Sequence, residues 1–117
     1  MSPPNVPSFV PPDWPHRKSS RAVEAGDVHW HVQQAGEGPV VLLLHGSGAS
    51  SHSWADLVPV LARHATVIAP DLPGHGFSTS TEDNVYTLSR VSEALEALLQ
   101  KLSIGPVRVV ARRIATA

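Results

Sequence analysis

Hydrophobic and polar residues alternate along residues 22–33, around a turn at Gly26-Asp27. The apolar positions are Val23, Ala25, Val28, Trp30 and Val32, and His29, His31 and Gln33 follow the last three. A period of two on both sides of a Gly-Asp turn predicts an antiparallel β-hairpin.

Three later segments are apolar without alternation and predict strands of another kind. They are residues 40–44 (VVLLL), 66–70 (TVIAP) and 107–111 (VRVVA). Continuous apolar runs of this length are typical of parallel strands that are buried on both faces. We therefore expect all three to lie inside one sheet.

Helical periodicity fills the two gaps between these strands. In the first gap the apolar stripe is Trp54, Leu57, Val58 and Leu61, with Ser51 or a neighbour as the N-cap. Pro59 lies inside that stripe and predicts a kink or two short helices. In the second gap the stripe is Val91, Leu95, Leu98, Leu99 and Leu102, preceded by Thr87 as N-cap and closed by Gly105-Pro106.

The element order, a hairpin followed by β-α-β-α-β, predicts an α/β fold with right-handed crossovers and a parallel sheet. Two helices are too few to cover three parallel strands, so part of the sheet should remain uncovered. Five of the first twelve residues are proline. We expect a disordered Pro-rich tail over residues 1–13, with order beginning near Trp14, one incomplete α/β domain over residues 14–111, and an aberrant C-terminus over residues 112–117.

Composition narrows the possible functions. The net charge of −1 provides no basic face for nucleic acid or anionic lipid. The absence of cysteine excludes disulfides, a thiolate nucleophile and sulfur-ligated metals. No run resembles a signal peptide or reaches transmembrane length, so we expect no membrane span and a cytoplasmic location.

The loop after the first apolar run, residues 45–51 (HGSGASS), has two interpretations. As a G-x-G-x-x-S variant between a strand and a helix, it could face the pyrophosphate of a dinucleotide, with Asp71 near the ribose. The serine in the third small position and the preceding His45 weigh against this. Alternatively, its backbone N–H groups could face an oxyanion that develops during acyl transfer.

The motifs favour the second interpretation because together they resemble the N-terminal part of an α/β-hydrolase. These motifs are His45-Gly46-Ser47-Gly48 after a Leu-rich strand, then Trp54, then residues 71–78 (DLPGHGFS). Upstream residues 14–15, 20–21, 25–26, 30–33 and 38–39 are similar to the magnesium-chelatase accessory proteins of this superfamily. Those proteins are associated with bacteriochlorophyll synthesis in photosynthetic bacteria, and the resemblance spans residues 14–111.

The resemblance implies roles for particular residues. The backbone N–H of Ser47 would contribute to an oxyanion hole, while His45 and Gly46 would shape the loop. Residues 71–78 would form a structural turn. The resemblance further implies a serine-type hydrolase that uses no metal or organic cofactor. Its implied partners are a small-molecule acyl or porphyrin substrate and magnesium chelatase.

The strand at residues 107–111 should lead into the nucleophile elbow of that family, G-x-S-x-G. In this alignment Arg112 and Thr116 occupy the two glycine positions and Ile114 occupies the serine position. Isoleucine has no nucleophilic atom, and a β-branched residue tolerates the positive φ of an elbow poorly. The acid and the histidine of the triad are expected beyond Ala117. We therefore expect a truncated, catalytically inactive product, caused by a reading-frame shift just after Ala111.

Other constellations have simpler interpretations. Asp71, His75 and Ser78 crowd into one turn, whereas triad residues usually converge from separate elements. His29 and His31 could hold a metal, but without a third ligand we expect exposed hairpin histidines. His45 could act as a general base, although a loop-shaping hydrogen bond is favoured.

Three classes of function remain open: a hydrolase, a non-enzymatic accessory protein that binds porphyrin or chelatase, and no function for this chain. The dinucleotide-binding module is a less favoured fourth.

Overall fold

The N-terminal hairpin forms as its alternation predicts. In the computed structural model of the chain, residues 6–46, 48–81, 87–105 and 107–111 are described. Strand β1 (Ser20–Ala25) pairs antiparallel with β2 (Val28–Ala35), and Val23 lies opposite Trp30. Gly26 has a φ of 61°, which the two-residue turn between these strands requires.

The three apolar runs complete one five-stranded sheet. They form β3 (Val40–Leu44), β4 (Thr66–Pro70) and β5 (Arg108–Ala111), and the strand order is β1-β2-β4-β3-β5. Strand β3 pairs parallel with both β4 and β5, whereas β2 pairs antiparallel with β4. The predicted α/β architecture is confirmed, as a mixed sheet in which the hairpin extends the parallel strands.

The 3₁₀ helix and the long helix begin at the predicted caps, whereas the short helix between them begins after Leu57 without a side-chain cap. Pro59 is preceded by a 3₁₀ helix (Ser51–Trp54) and lies within a single α-helical turn, α1 (Val58–Leu61), so the two-helix prediction is confirmed. The 3₁₀ helix has Ser50 as its N-cap, whose hydroxyl accepts a hydrogen bond from the His52 N–H at 3.2 Å. The long helix α2 (Leu88–Lys101) begins after Thr87, whose hydroxyl accepts from the Arg90 N–H at 3.2 Å.

The sheet is buried on both faces near its centre. Neighbouring residues of β3 point to opposite faces, and each face has its own hydrophobic cluster. Leu42 and Leu44 belong to a cluster that includes Ala94 and Leu98 of α2. Leu43 belongs to a second cluster on the other face, with Trp54 and Val58 among its members. An ion pair between Arg90 and Asp27 also ties α2 to the hairpin turn.

Strand β5 differs from its prediction. All four of its residues are exposed, with Val109 at 54% and Val110 at 41%. In the part of the chain that the structure describes, β3 is the one strand beside β5, and α2 packs over the hairpin side of the sheet instead. The prediction of a buried strand here is therefore wrong, whereas the prediction that part of the sheet stays uncovered is confirmed.

The N-terminal segment packs against the domain earlier than Trp14. Val10 is 1% exposed, and its carbonyl accepts a hydrogen bond from Arg17 Nε at 3.0 Å. Residues 1–5 of the predicted tail and all of residues 112–117 lie outside the described residues. Among the described helices, none combines the length and the apolar character needed to cross a membrane.

The packing of α2 generates a stability prediction. Leu98 is 0% exposed and Leu88, in the same helix, is 63% exposed. Leu98→Ala should lower the free energy of unfolding by about 2–5 kcal/mol, because it leaves a cavity between α2 and the sheet. Leu88→Ala, the matched control, should change it by less than about 0.5 kcal/mol. Urea unfolding followed by circular dichroism measures both, and equal losses would contradict this view of the core.

Candidate functional site

The two glycine-containing loops meet at one edge of the sheet. Because β3 and β4 are parallel, their carboxyl ends lie side by side. The loop of residues 45–50 follows β3 and the turn of residues 71–78 follows β4. In open α/β sheets this edge is where ligand sites form.

His45 joins the two loops. Its Nε2 accepts a hydrogen bond from the Leu72 N–H at 2.8 Å. Nδ1 therefore carries the ring proton, and it donates to the Gly46 carbonyl at 2.7 Å. Burial lowers the pKa of His45, outweighing the bond to Gly46 and the Asp71 charge that would raise it. The imidazole is thus neutral with both nitrogens occupied, and in this state it has no free nitrogen for a substrate proton.

The described residues of the β3 loop form a tight turn. The Ala49 N–H donates to the Gly46 carbonyl at 3.1 Å, and Gly48 has a φ of 77°. That conformation favours glycine, which explains its place in the motif. Ser47, whose N–H the resemblance assigns to an oxyanion hole, lies outside the described residues.

The side chain of Asp71 accepts three hydrogen bonds at this edge. Its Oδ1 accepts from the Ser51 N–H at 2.6 Å, and its Oδ2 accepts from the Phe77 N–H at 2.9 Å and from His31 Nδ1 at 2.7 Å. Burial alone would raise the pKa of this carboxyl. The hydrogen bonds from His31, Phe77 and Ser51 outweigh burial and lower the pKa below its ordinary value.

Gly76 permits this arrangement. It has a φ of 50°, and a Cβ built on it would collide with the Asp71 carboxylate. The missing side chain lets the turn close tightly enough for the following residue, Phe77, to donate its N–H.

His31 contradicts the expectation of exposed hairpin histidines. Its side chain is 0% exposed, and its Nε2 lies 2.8 Å from the Ser20 hydroxyl. The rings of Phe9 and Phe77 contact the His31 ring in edge-to-face geometry, with centroid distances of 6.2 and 5.3 Å. The expectation failed because the N-terminal segment and the β4 turn cover this face of the hairpin.

His29, two residues away, is exposed as expected and lies 3.0 Å from Glu24. The two histidines share no third ligand, and no cluster of three metal-ligating side chains occurs in the described ranges.

The local triad of Asp71, His75 and Ser78 does not form. His75 Nδ1 donates to the Pro73 carbonyl at 3.0 Å, and the Ser78 hydroxyl donates to the Asp71 backbone carbonyl at 2.7 Å. The histidine that contacts Asp71 is His31, which is 40 residues away in sequence. No local spacing in the sequence signals that pair, so neither His31 nor Ser20 could be assigned to this network from the sequence.

The dinucleotide interpretation required Asp71 to bind a ribose, and the structure does not leave Asp71 available for this. Asp71 is 0% exposed and its carboxylate is occupied by three donors. The element after the glycine loop is a four-residue 3₁₀ helix, too short for the helix N-terminus that such sites use.

A hollow of about 500 Å³ lies away from these loops. It is lined by residues 18–21 and 34–36, on the hairpin and the 3₁₀ turn before it. Neither glycine-containing loop contributes to it.

Comparisons with known proteins found similar sequences and similar structures. A family model described as alpha/beta hydrolase fold matches residues 39–111. The magnesium-chelatase 30 kDa subunit of Rhodobacter capsulatus is 42% identical over 106 residues, which are 89% of this chain and 37% of that protein. The 2-hydroxy-6-oxo-6-(2'-aminophenyl)hexa-2,4-dienoic acid hydrolase of Metapseudomonas resinovorans is 38% identical over 94 residues, 77% of this chain and 32% of that protein.

Among solved structures, an epoxide hydrolase from Vigna radiata matches with a TM-score of 0.74 and 36% identity. The match covers 80% of this chain and 31% of that one. The chain thus spans about a third of the length of the relatives that it matches.

The neutral state of His45 generates a pH prediction. Because folding lowers the pKa of His45, the unfolded chain takes up a proton more readily than the folded chain. The stability from the neutral ring is complete above pH 6.5, its ordinary pKa, and is lost as the pH falls below it. The free energy of unfolding should therefore decrease less in His45→Gln than in the unmodified chain when the pH is lowered from about 7.5 to about 5.5.

Urea titrations at the two pH values measure this slope. The control, His64→Gln, replaces an exposed histidine and should keep the slope of the unmodified chain. A His45→Gln slope as steep as that of the control would contradict the assignment.

Proposed function

The chain belongs to the α/β-hydrolase fold family, and from this premise we propose that it carries the oxyanion loop of a hydrolase that acts on acyl or ester bonds. The backbone N–H of Ser47 would donate to the oxyanion. His45 and Gly46 would fix the path of the loop. The observation that carries the proposal is the pair of hydrogen bonds made by the His45 ring, whose Nδ1 donates to the Gly46 carbonyl and whose Nε2 accepts from the Leu72 N–H.

These bonds support the proposal because catalysis by an oxyanion hole depends on donors that are oriented before the reaction begins. A loop held through a buried, neutral ring spends little energy on reorganisation when charge develops. The sheet register adds support, since Ala111 at the end of β5 is the Cα partner of Leu44, directly before the loop. The carboxyl end of β5 therefore lies beside the start of the oxyanion loop, and a nucleophile elbow has to begin at such a point.

We also propose that the chain as it stands is catalytically inactive. Arg112, Ile114 and Thr116 occupy the positions where this family carries G-x-S-x-G. Isoleucine supplies no nucleophile, and arginine is too bulky for the close packing that an elbow needs. The activity proposed for the whole enzyme would need further catalytic groups, because this chain spans only about a third of the length of its relatives.

A fluorophosphonate probe tests inactivity directly. Incubation of the folded chain with the probe and with p-nitrophenyl acetate should give no covalent adduct and no hydrolysis above the buffer rate. The reason is the missing activated serine hydroxyl. Intact-mass spectrometry and absorbance measure the two outcomes, with an active serine hydrolase as the positive control. A stoichiometric adduct on any serine of this chain would overturn the proposal.

A second candidate function is a non-enzymatic accessory role in bacteriochlorophyll synthesis, in which the domain binds magnesium chelatase or its porphyrin substrate. The observation that favours it is the 42% identity to the magnesium-chelatase 30 kDa subunit of Rhodobacter capsulatus. On this hypothesis the domain binds its partner through its surface, and its function does not require a nucleophile.

Retention of chelatase subunits tests this second candidate. The immobilised chain should retain one or more purified chelatase subunits, or shift the Soret band of a magnesium-free porphyrin, at about micromolar concentrations. An unrelated α/β-hydrolase of known esterase activity serves as the control matrix. If the chain and the control behave alike in both assays, the accessory function is wrong.

A further inference from the structure

Two adjacent residues hold both sides of the β3 loop. The Leu72 N–H donates to His45, the first residue of the loop, at 2.8 Å. The Asp71 Oδ1 accepts from the Ser51 N–H, just past the other side of the loop, at 2.6 Å. The β4 end therefore fixes where the loop leaves the sheet and where the 3₁₀ helix begins.

The direction of the Asp71 carboxylate is set from elsewhere. Its other oxygen accepts from His31 Nδ1 at 2.7 Å and from the Phe77 N–H at 2.9 Å. His31 belongs to the hairpin, and its opposite nitrogen is engaged by the Ser20 hydroxyl at 2.8 Å. A chain of hydrogen bonds thus leads from Ser20 through His31 and Asp71 to Ser51.

Burial excludes water from this chain of bonds. Both His31 and Asp71 are 0% exposed, and Ser51 is 1% exposed. A carboxylate in such a place has no solvent to replace a lost partner, so its orientation follows the donors that remain.

We propose that His31 is a positioning residue that orients Asp71, and that Asp71 in turn fixes the backbone of Ser51, where the oxyanion loop (the β3 loop) meets the 3₁₀ helix. The use of this loop for an oxyanion rests on the proposed function; the coupling between the hairpin and the loop does not. The hairpin would then influence the geometry of the loop through these two side chains, although none of the backbone hydrogen bonds of the described residues joins the hairpin to the loop.

A purely structural role for His31 is the competing explanation. Its ring packs against Phe9 and Phe77, so its removal could loosen the domain in general. Two amide substitutions separate these roles, because an Asn amide nitrogen falls near the position of Nδ1 and a Gln amide nitrogen falls near that of Nε2. Both remove the ring, but His31→Asn keeps a donor for Asp71 and His31→Gln keeps a group that faces Ser20.

Amide hydrogen exchange by NMR, on the full chain, is the test. In His31→Gln the amides of Ser51 and Phe77 should exchange at least about tenfold faster, while the α2 amide of Val91 keeps its rate. In His31→Asn the Ser51 and Phe77 rates should return to within about threefold of the unmodified chain. Ser20→Ala, which leaves the His31–Asp71 bond intact, should also leave Ser51 unchanged.

Equal acceleration in the Asn and Gln variants, or acceleration of Val91 together with Ser51, would overturn the proposal. If neither variant folds, the unmodified chain decides. The protection factors of the His31 ring Nδ1–H and the Ser51 amide should then agree within about threefold, because one opening event exposes both. Unequal protection factors for these two groups would also overturn the proposal.

The two proposals fail separately. Exchange rates report the coupling whether or not an ester is hydrolysed, whereas covalent labelling by a fluorophosphonate reports catalysis whether or not His31 acts on the loop.

Discussion

A single carboxylate with no access to solvent organises the described part of this domain. An ionised group in an apolar interior is tolerated only when donors surround it. Asp71 meets that requirement by collecting one donor from the hairpin, one from the 3₁₀ helix and one from its own turn. Three separate segments, namely the hairpin, the start of the 3₁₀ helix and the turn after β4, therefore have to come together, and their contact defines the site at this end of the sheet.

The elements themselves could be predicted from local patterns. The run at residues 40–44 has no polar position, and β3 is accordingly flanked by strands on both sides with core clusters on both faces. Thr87 lies shortly before the second helical stripe, and its hydroxyl caps α2 by accepting from the Arg90 N–H. These features depend on neighbours within a few residues, so periodicity and capping chemistry are sufficient to find them.

The candidate site was only half predictable, for a physical reason. The glycine loops carry their own signal, because Gly48 and Gly76 adopt positive φ values that other residues avoid. The pairing of His31 with Asp71 has no such signal, since a hairpin position that alternates as polar looks the same whether solvent or another segment covers it. Val10 illustrates the same limit: a short apolar residue within a proline-rich stretch becomes buried only because the tertiary fold offers it a place.

The uneven partnership of the strands has a consequence for how the sheet assembles. The hairpin strands are joined by two residues and close a short loop, which is a microsecond event with a small entropic cost. Strand β5 is held through β3 alone among the described strands, across a separation of more than sixty residues, with both of its faces in solvent. It should accordingly be the last strand to dock during folding and the first to detach. The part of the sheet beside the β3 loop should therefore open locally at a lower free energy than the rest of the domain.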